Sequence, residues 1–214
     1  MNIYCNPLLF SILCSQGCDI VQIKKEEIKQ KILEVATDEF IKKGYENASM
    51  RVIANKAHTT LGNIYHYFKN KEMLLETILL PTFENIEALM GQHIENGKTL
   101  NMTREEALYY AENLEKYFDE SELICFFHKP VVIILKLESS HLLERKEKLL
   151  KELQEHLQEH FNMKDDAHYS KVVLDVLADC LKHVLLEHED MDCAKAEFIK
   201  LFKVFCTGVI GQMK

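Results

Sequence analysis

The chain has 214 residues, with 7 Gly and 3 Pro, and a formal net charge of −8 from 26 Lys+Arg against 34 Asp+Glu. Glycine and proline fall well below their average combined share of about 12%, which excludes a β-sandwich or barrel with its turn every 8–12 residues and excludes a low-complexity or collagen-like chain. Hydrophobic content of 47% and charged content of 28% are ordinary for a globular protein, and the acidic total by itself argues against a nucleic-acid partner.

The first segment, residues 1–22, holds no Lys, Arg or Glu, and IKKEEIKQK then begins abruptly. Its most apolar stretch, Ile3–Ile20, is broken by Asn6, Pro7, Gln16 and Asp19, so it falls short of a membrane span, and no basic region precedes Pro7 as a signal peptide would need. It reads as a leader outside the folded body, with a short extra helix packed on the protein as the alternative. Three of the seven Cys (Cys5, Cys14, Cys18) lie here, the rest are Cys125, Cys180, Cys193 and Cys206, and no CxxC occurs. That pattern suits reduced thiols of a cytoplasmic chain, not a disulfide framework.

From residue 24 the apolar side chains Ile28, Ile32, Val35, Ala36 and Phe40 recur at helical spacing, and Gly44 stands where a helix stops. Ser49 is placed to cap a short second helix carrying Met50, Ile53, Ala54 and Ala57. Thr60 is placed to cap a third, with Leu61, Ile64, Tyr65 and Phe68. Asn70 opens a fourth, with Glu72 in its first turn, where the helix dipole favours a negative charge, and Met73, Leu74, Leu75, Ile78 and Leu79 beyond. Past Pro81 the chain stays helical. Breaks are expected near Gly91–Met102, Asp119–Ser121, Lys129-Pro130, Asn162–Asp166 and Glu189–Asp192, which leaves helical segments 103–118, 122–128, 131–160, 166–188 and 193–210. The β-branched run Val131–Leu135 reads as buried helix, because a strand with no partner is not stable. The fold class is all-α.

Three short helices with a tight link, Ala57-His58-Thr59-Thr60, have the layout of a helix-turn-helix, whose second helix enters the DNA major groove. Ala54 and Ala57 are small where two helices must approach. Gly62 lacks a side chain that would hold the backbone away from phosphates. Thr60, Tyr65, His66, Tyr67 and Lys71 supply hydroxyl, imidazole and ammonium groups suited to phosphates. The charge divides accordingly: residues 1–75 carry 10 Lys+Arg against 8 Asp+Glu, and residues 76–214 carry 16 against 26. The acidity belongs to the second part of the chain, and the first is mildly basic, enough for local phosphate contacts.

The ordered set Ala36, Phe40, Gly44-Tyr45, Ser49-Met50-Arg51, Ile53-Ala54, Ala57, Gly62, Ile64-Tyr65, Tyr67-Phe68, Lys71-Glu72 and Leu74-Leu75 resembles the signature of the TetR family of bacterial one-component transcriptional regulators over residues 24–80. The resemblance implies a helix-turn-helix DNA-binding domain at 23–72 and a helical effector-binding and dimerisation domain at 73–214. It implies a homodimer on a pseudo-palindromic, double-stranded DNA operator, a repressor by family habit, released by a small effector of apolar character. Ser49, Thr60, Gly62, Tyr65, His66 and Lys71 match family positions at the DNA backbone. Asn63 is the candidate to reach a base edge, with Leu61 against a thymine methyl. Arg51 is read either as a phosphate contact or as one half of an intradomain ion pair, and Phe68 as core. The family often has Gly-Val where this chain has His58-Thr59, and a left-handed residue there disfavours His less than a β-branched side chain.

Candidate effector-lining residues are Met90, Tyr109, Tyr110, Tyr117, Phe126, Phe127 and His128, near the corner at Pro130, with ordinary core as the alternative for each. Val173, Val176, Leu177, Cys180, Leu181 and Val184 on one helix, and Phe198, Phe202, Phe205 and Val209 on the last, form apolar faces wide enough to build a four-helix interface between protomers, although one face could be internal core. No cofactor, metal or membrane is called for. The rival readings are a DNA-binding dimer that acts through a protein partner, and, more remotely, a helical metal-dependent enzyme using His156 and His160.

Overall fold

Helix α1 (Pro7–Lys43) provides the wall on which both halves of the molecule are built. Ile32, Ala36 and Phe40, one face of its apolar stripe, are buried. In this computed structural model the backbone is described for residues 7–95, 103–116, 125–160 and 167–210, with side chains from residue 23 onward apart from 93–95, 107, 110, 160 and 209–210. Residues 7–22, expected as a leader, are helical and continuous with the rest of α1. Gly44 ends the helix in the left-handed region, φ 78°, and its N–H donates to the Phe40 carbonyl. Only glycine adopts this conformation without steric cost.

Helices α2 (Met50–Lys56), α3 (Leu61–Tyr67) and α4 (Lys71–Glu95) follow. Helix α2 packs on α1 and α3 on α2, so that Ile53, Ala54, Ile64, Phe68, Leu74 and Leu75 join the buried stripe of α1 in one core. Ala54 and Ala57 are buried where α2 meets its neighbours. The start of α4 is capped as its sequence suggests: the Asn70 side-chain oxygen accepts from the Met73 N–H at 2.7 Å. Pro81 lies inside α4, on its exposed side, where the missing N–H leaves the Thr77 carbonyl without its helical donor.

The body contains α5 (Arg104–Glu112), α6 (Lys129–Lys136), α7 (Leu143–His160), α8 (Ala167–Glu187) and α9 (Met191–Ile210). Among the described residues every one of these elements is a helix. Helix α6 is the hub: it packs on α1, α4 and α8, and Val131, Val132, Ile133 and Ile134 are all buried. A helix enclosed on every side must be apolar all round, and this requirement overrides the strand propensity of its β-branched residues. The expected helix 131–160 is in fact two. The chain leaves α6 at Leu137 and re-enters a helix at Leu143, because the intervening side chains bind the N-terminal helices.

Those bonds fix the head on the body. Ser139 donates its hydroxyl to Glu46 at 2.5 Å and Ser140 to Glu72 at 2.5 Å. His141 places one ring nitrogen 2.6 Å from Glu72 and the other 2.6 Å from Glu76, so that when protonated it donates to both. Glu72 also accepts from the Tyr45 hydroxyl. Further along, Lys136 donates to the Ile41 carbonyl, and Arg145 from α7 makes a two-pronged pair with Glu87 of α4 at 2.6–2.7 Å.

Burial opposes the ionisation of Glu72, but the hydroxyls of Ser140 and Tyr45 and the His141 ring outweigh it and hold its pKa below the ordinary value of 4.5. The Ser139 hydroxyl, chiefly, does the same for Glu46. Both carboxylates have depressed pKa values when folded, so their stabilisation is fully present above the unfolded-state value and is lost as pH falls through the folded one. The melting temperature should therefore drop steeply with pH below about 4.5. Glu72→Gln should be less stable by about 1–2 kcal/mol at pH 7 and should show a shallower acid slope in thermal denaturation. An acid slope equal to that of the unsubstituted chain would rule out Glu72 as a contributor.

Candidate nucleic-acid interface

The link between α2 and α3 is a helix stop of defined geometry. His58 has φ 52°, the His58 N–H donates to the Asn55 carbonyl, and the Thr59 N–H donates to the Ala54 carbonyl. Two nested bonds of this kind, around one left-handed residue, close a helix and redirect the chain. The left-handed conformation costs an L-residue about 1–2 kcal/mol relative to glycine, and the two bonds offset it. Thr60, extended at φ −92° and ψ 154°, then caps α3 by accepting from the Asn63 N–H.

Helix α3 buries Ile64 and, just past its end, Phe68. Leu61 and Tyr67 are half-buried and pack on the same core. The opposite side is open: Thr60, Gly62, Tyr65 and His66 are exposed, Tyr65 by 47%. His66 stacks its edge against Tyr67, with ring centroids 5.5 Å apart. A Cβ built on Gly62 would meet only the Thr60 hydroxyl, at 4.0 Å, so nothing within the chain requires glycine there. Asn63 is half-buried, and its amide nitrogen donates to the Thr59 hydroxyl oxygen at 2.7 Å.

Ser49 occupies the cap position of α2, but its side chain makes no capping bond, which leaves the hydroxyl for an outside acceptor. Arg51 is exposed, and among the described residues it forms no ion pair. The ion pair that ties α1 to α2 is instead Lys56 to Glu39 at 2.6 Å. Glu39 is a carboxylate only 3% exposed, placed on the inner face of α1 next to Phe40.

Lys71, expected at the DNA backbone, is engaged within the chain: its ammonium donates to the carbonyls of Tyr45, Glu46 and Ala48 at 2.7, 3.0 and 3.3 Å and lies 4.6 Å from the centre of the Tyr45 ring. A lysine has three donors, and all three are used to hold the α1–α2 loop against the start of α4. Sequence spacing places Lys71 on α4 but cannot show that the loop carbonyls turn towards it.

The remaining expected sites are dispersed. Met90 and Phe127 are core residues, and Phe127 packs edge-on against Phe198 at 5.6 Å. Tyr109 and His128 are exposed and Phe126 is half-buried, while Tyr110 and Tyr117 lie outside the described side chains. None of the described ones lines the groove that follows. An open groove of about 490 Å³ lies between α1, α4 and the start of α6, lined by Leu33, Asp38, Ile78, Lys129 and Pro130 among others. Of the expected dimer residues, Val173, Leu181, Val184 and Phe198 are buried within one chain. Leu177, Cys180, Phe202 and Phe205 are half-buried, and the Val209 side chain lies outside the described set. Val176 is exposed together with Val172, Leu201 and Val204. No group of three or more metal-ligating side chains occurs among the described residues, and no described helix is long and apolar enough to cross a membrane.

Residues 32–78 match the family model for bacterial regulatory proteins of the tetR family. Over these residues the chain is similar to the TetR family. Similar proteins include the HTH-type transcriptional regulator UidR of Escherichia coli strain K12, 31% identical over 77 residues, 36% of this chain and 39% of that one. QacR of Staphylococcus aureus strain Mu50 is 32% identical over 96 residues, 45% of this chain and 44% of that one. The HTH-type transcriptional repressor KstR of Rhodococcus jostii strain RHA1 is 33% identical over 70 residues, 33% of each chain. In all three the match spans less than half of the relative's length. The TetR-family likeness is thus carried by the head, α1 to α4.

Replacing Lys71 by Ala should cost about 2 kcal/mol, because three charge-assisted bonds to otherwise unpaired carbonyls are lost together. Urea denaturation measures this directly. A cost below about 0.5 kcal/mol, the level of ordinary surface substitutions, would show that the lysine does not hold the loop.

Proposed function

We propose that this chain is a DNA-binding transcriptional regulator that represses from a pseudo-palindromic operator as a homodimer and is released by a small effector. The observation that carries the DNA-binding part is Gly62. It stands at the open side of α3 with no neighbour inside the chain to exclude a side chain, and it is flanked by the exposed polar residues Thr60, Tyr65 and His66. A glycine free of internal crowding in an otherwise ordinary helix is best explained by an outside partner that approaches the backbone. Phosphates contacted by Ser49, Thr60, Tyr65, His66 and Arg51 would set the register, and Asn63 would read a base.

The proposed dimer brings together the exposed apolar residues Val172 and Val176 of α8 and Leu201 and Val204 of α9, two helices that pack against each other within the chain. Two such pairs around a twofold axis form a four-helix interface and space the two α3 helices for successive major grooves, about 34 Å apart. Effector release is supported by the family resemblance. The groove at Pro130 lies between head helix α1 and body helix α6, so an occupant would act on the joint itself.

The test is a footprint on the DNA beside the gene, made with the unsubstituted chain and with Gly62→Ala. The substitution should raise stability slightly, by up to about 1 kcal/mol from helix propensity, and should lower operator affinity about tenfold or more. Unchanged affinity would remove the argument from Gly62, and no protected site at all would refute the regulator. For the dimer, Val204→Asp should convert a dimer to a monomer in sedimentation at micromolar concentration while leaving the helical signal intact. A monomer before substitution would contradict the interface.

A further inference from the structure

We infer that Thr59 is a specificity-determining residue: it fixes the Asn63 carboxamide in the orientation that reads adenine. This inference rests on the regulator reading above, with α3 in the major groove. The observation is a pair of bonds from two consecutive threonines to one asparagine. The Thr60 hydroxyl oxygen accepts from the Asn63 backbone N–H at 3.1 Å, and the Thr59 hydroxyl oxygen accepts from the Asn63 side-chain nitrogen at 2.7 Å. The first bond anchors the residue in the opening turn of α3, and the second anchors the plane of its amide.

A carboxamide offers two N–H donors and one carbonyl oxygen. With one N–H held by Thr59, Asn63 retains one N–H and its oxygen, and neither has a further partner among the described residues. That remaining pair matches the major-groove edge of adenine, which presents the N7 acceptor beside the N6 amino donor. It does not match guanine, which presents two acceptors, N7 and O6. A half-turn of an unanchored amide would exchange its oxygen and nitrogen and present the reversed pattern, with the acceptor towards N7 and the donor towards the N6 amino group. Thr59 therefore also limits which base is accepted, and it does so before DNA arrives, so less side-chain ordering remains to be paid on binding.

Thr59 is held in turn by its own backbone. Its N–H donates to the Ala54 carbonyl in the helix stop, one residue after the left-handed His58. The stop thus delivers the hydroxyl to a position four residues before Asn63, on the same side of the turn. A valine at 59 would keep the volume and the backbone bond and lose only the hydroxyl.

The experiment is selection of bound sequences from a randomised duplex library, using the full chain and its Thr59→Val, Thr59→Ser and Asn63→Ala variants, with melting curves as a folding control. The unsubstituted chain should select adenine at one position in each half-site. Thr59→Val should melt as the unsubstituted chain does and bind the selected operator about three- to tenfold more weakly, the range expected for one lost hydrogen bond. It should relax the preference at that position alone. Thr59→Ser, which keeps the hydroxyl, should restore the preference, and Asn63→Ala should abolish it. An undiminished adenine preference in Thr59→Val overturns the proposal, as does guanine at the Asn63-dependent position or a preference that survives Asn63→Ala. Failure of the unsubstituted chain to enrich any sequence defeats the regulator reading and this inference together, whereas the other failures leave the regulator intact.

Discussion

The first two residues of α4 carry opposite charges in opposite directions, and the arrangement of the whole molecule depends on that. Lys71 turns to the α1–α2 loop and gathers three of its carbonyls. Glu72 turns to the α6–α7 connection and accepts from Ser140 and His141. Tyr45 joins the two residues, with its ring under the Lys71 ammonium and its hydroxyl on Glu72. Burial and the neighbouring carboxylate push the Tyr45 hydroxyl far above its ordinary pKa, so it remains a donor throughout the accessible pH range. One turn of helix thus closes the head and joins it to the body.

The position of α3 follows from this joint. Because α4 begins where the head closes and runs on into the body, the head cannot tilt without moving α4. It cannot move α4 without disturbing Glu72, Glu76 and Glu87, which are bound from the body by His141 and Arg145. Helix α6 supports the same joint from inside, packed on α1 and α4 at once. Any change in the body that shifts α6 or the 137–142 connection therefore reaches the head through bonds already present. The groove at Pro130 opens onto the same joint.

Much of the head was legible along the chain. The stripe of α1, the left-handed Gly44, the caps at Thr60 and Asn70 and the burial of Phe68 each depend on side chains a few residues apart, where helix geometry leaves few choices. The buried α6 was legible too, because a short β-branched run without a partner strand has few other destinations. The side-chain partners were not legible. Glu39 sits on α1 in a pattern that gives no sign of its pairing with Lys56. The break at 137–142 was missed because residues 131–160 keep a helical pattern across it, and the bonds that stabilise the break join residues 68 and 93 positions apart. The Thr59 contact to Asn63 was not legible either, because it needs the exact turn geometry that His58 creates.

The sequence by itself determined that the chain is helical, where α1 ends, where α2, α3 and α4 begin, that a mildly basic head precedes an acidic body, and which side chains of α3 are polar. These are local properties, set by periodicity, capping and composition over a few turns. Only the tertiary structure decided that Lys71 gathers the carbonyls of the α1–α2 loop, that α8 and α9 bury part of their apolar faces within one chain, and that Met90 and Phe127 are core. Each of those outcomes depends on which groups come within about 3–4 Å of one another. Such distances are set by the packing of helices far apart in sequence, which leaves no mark on the residues themselves.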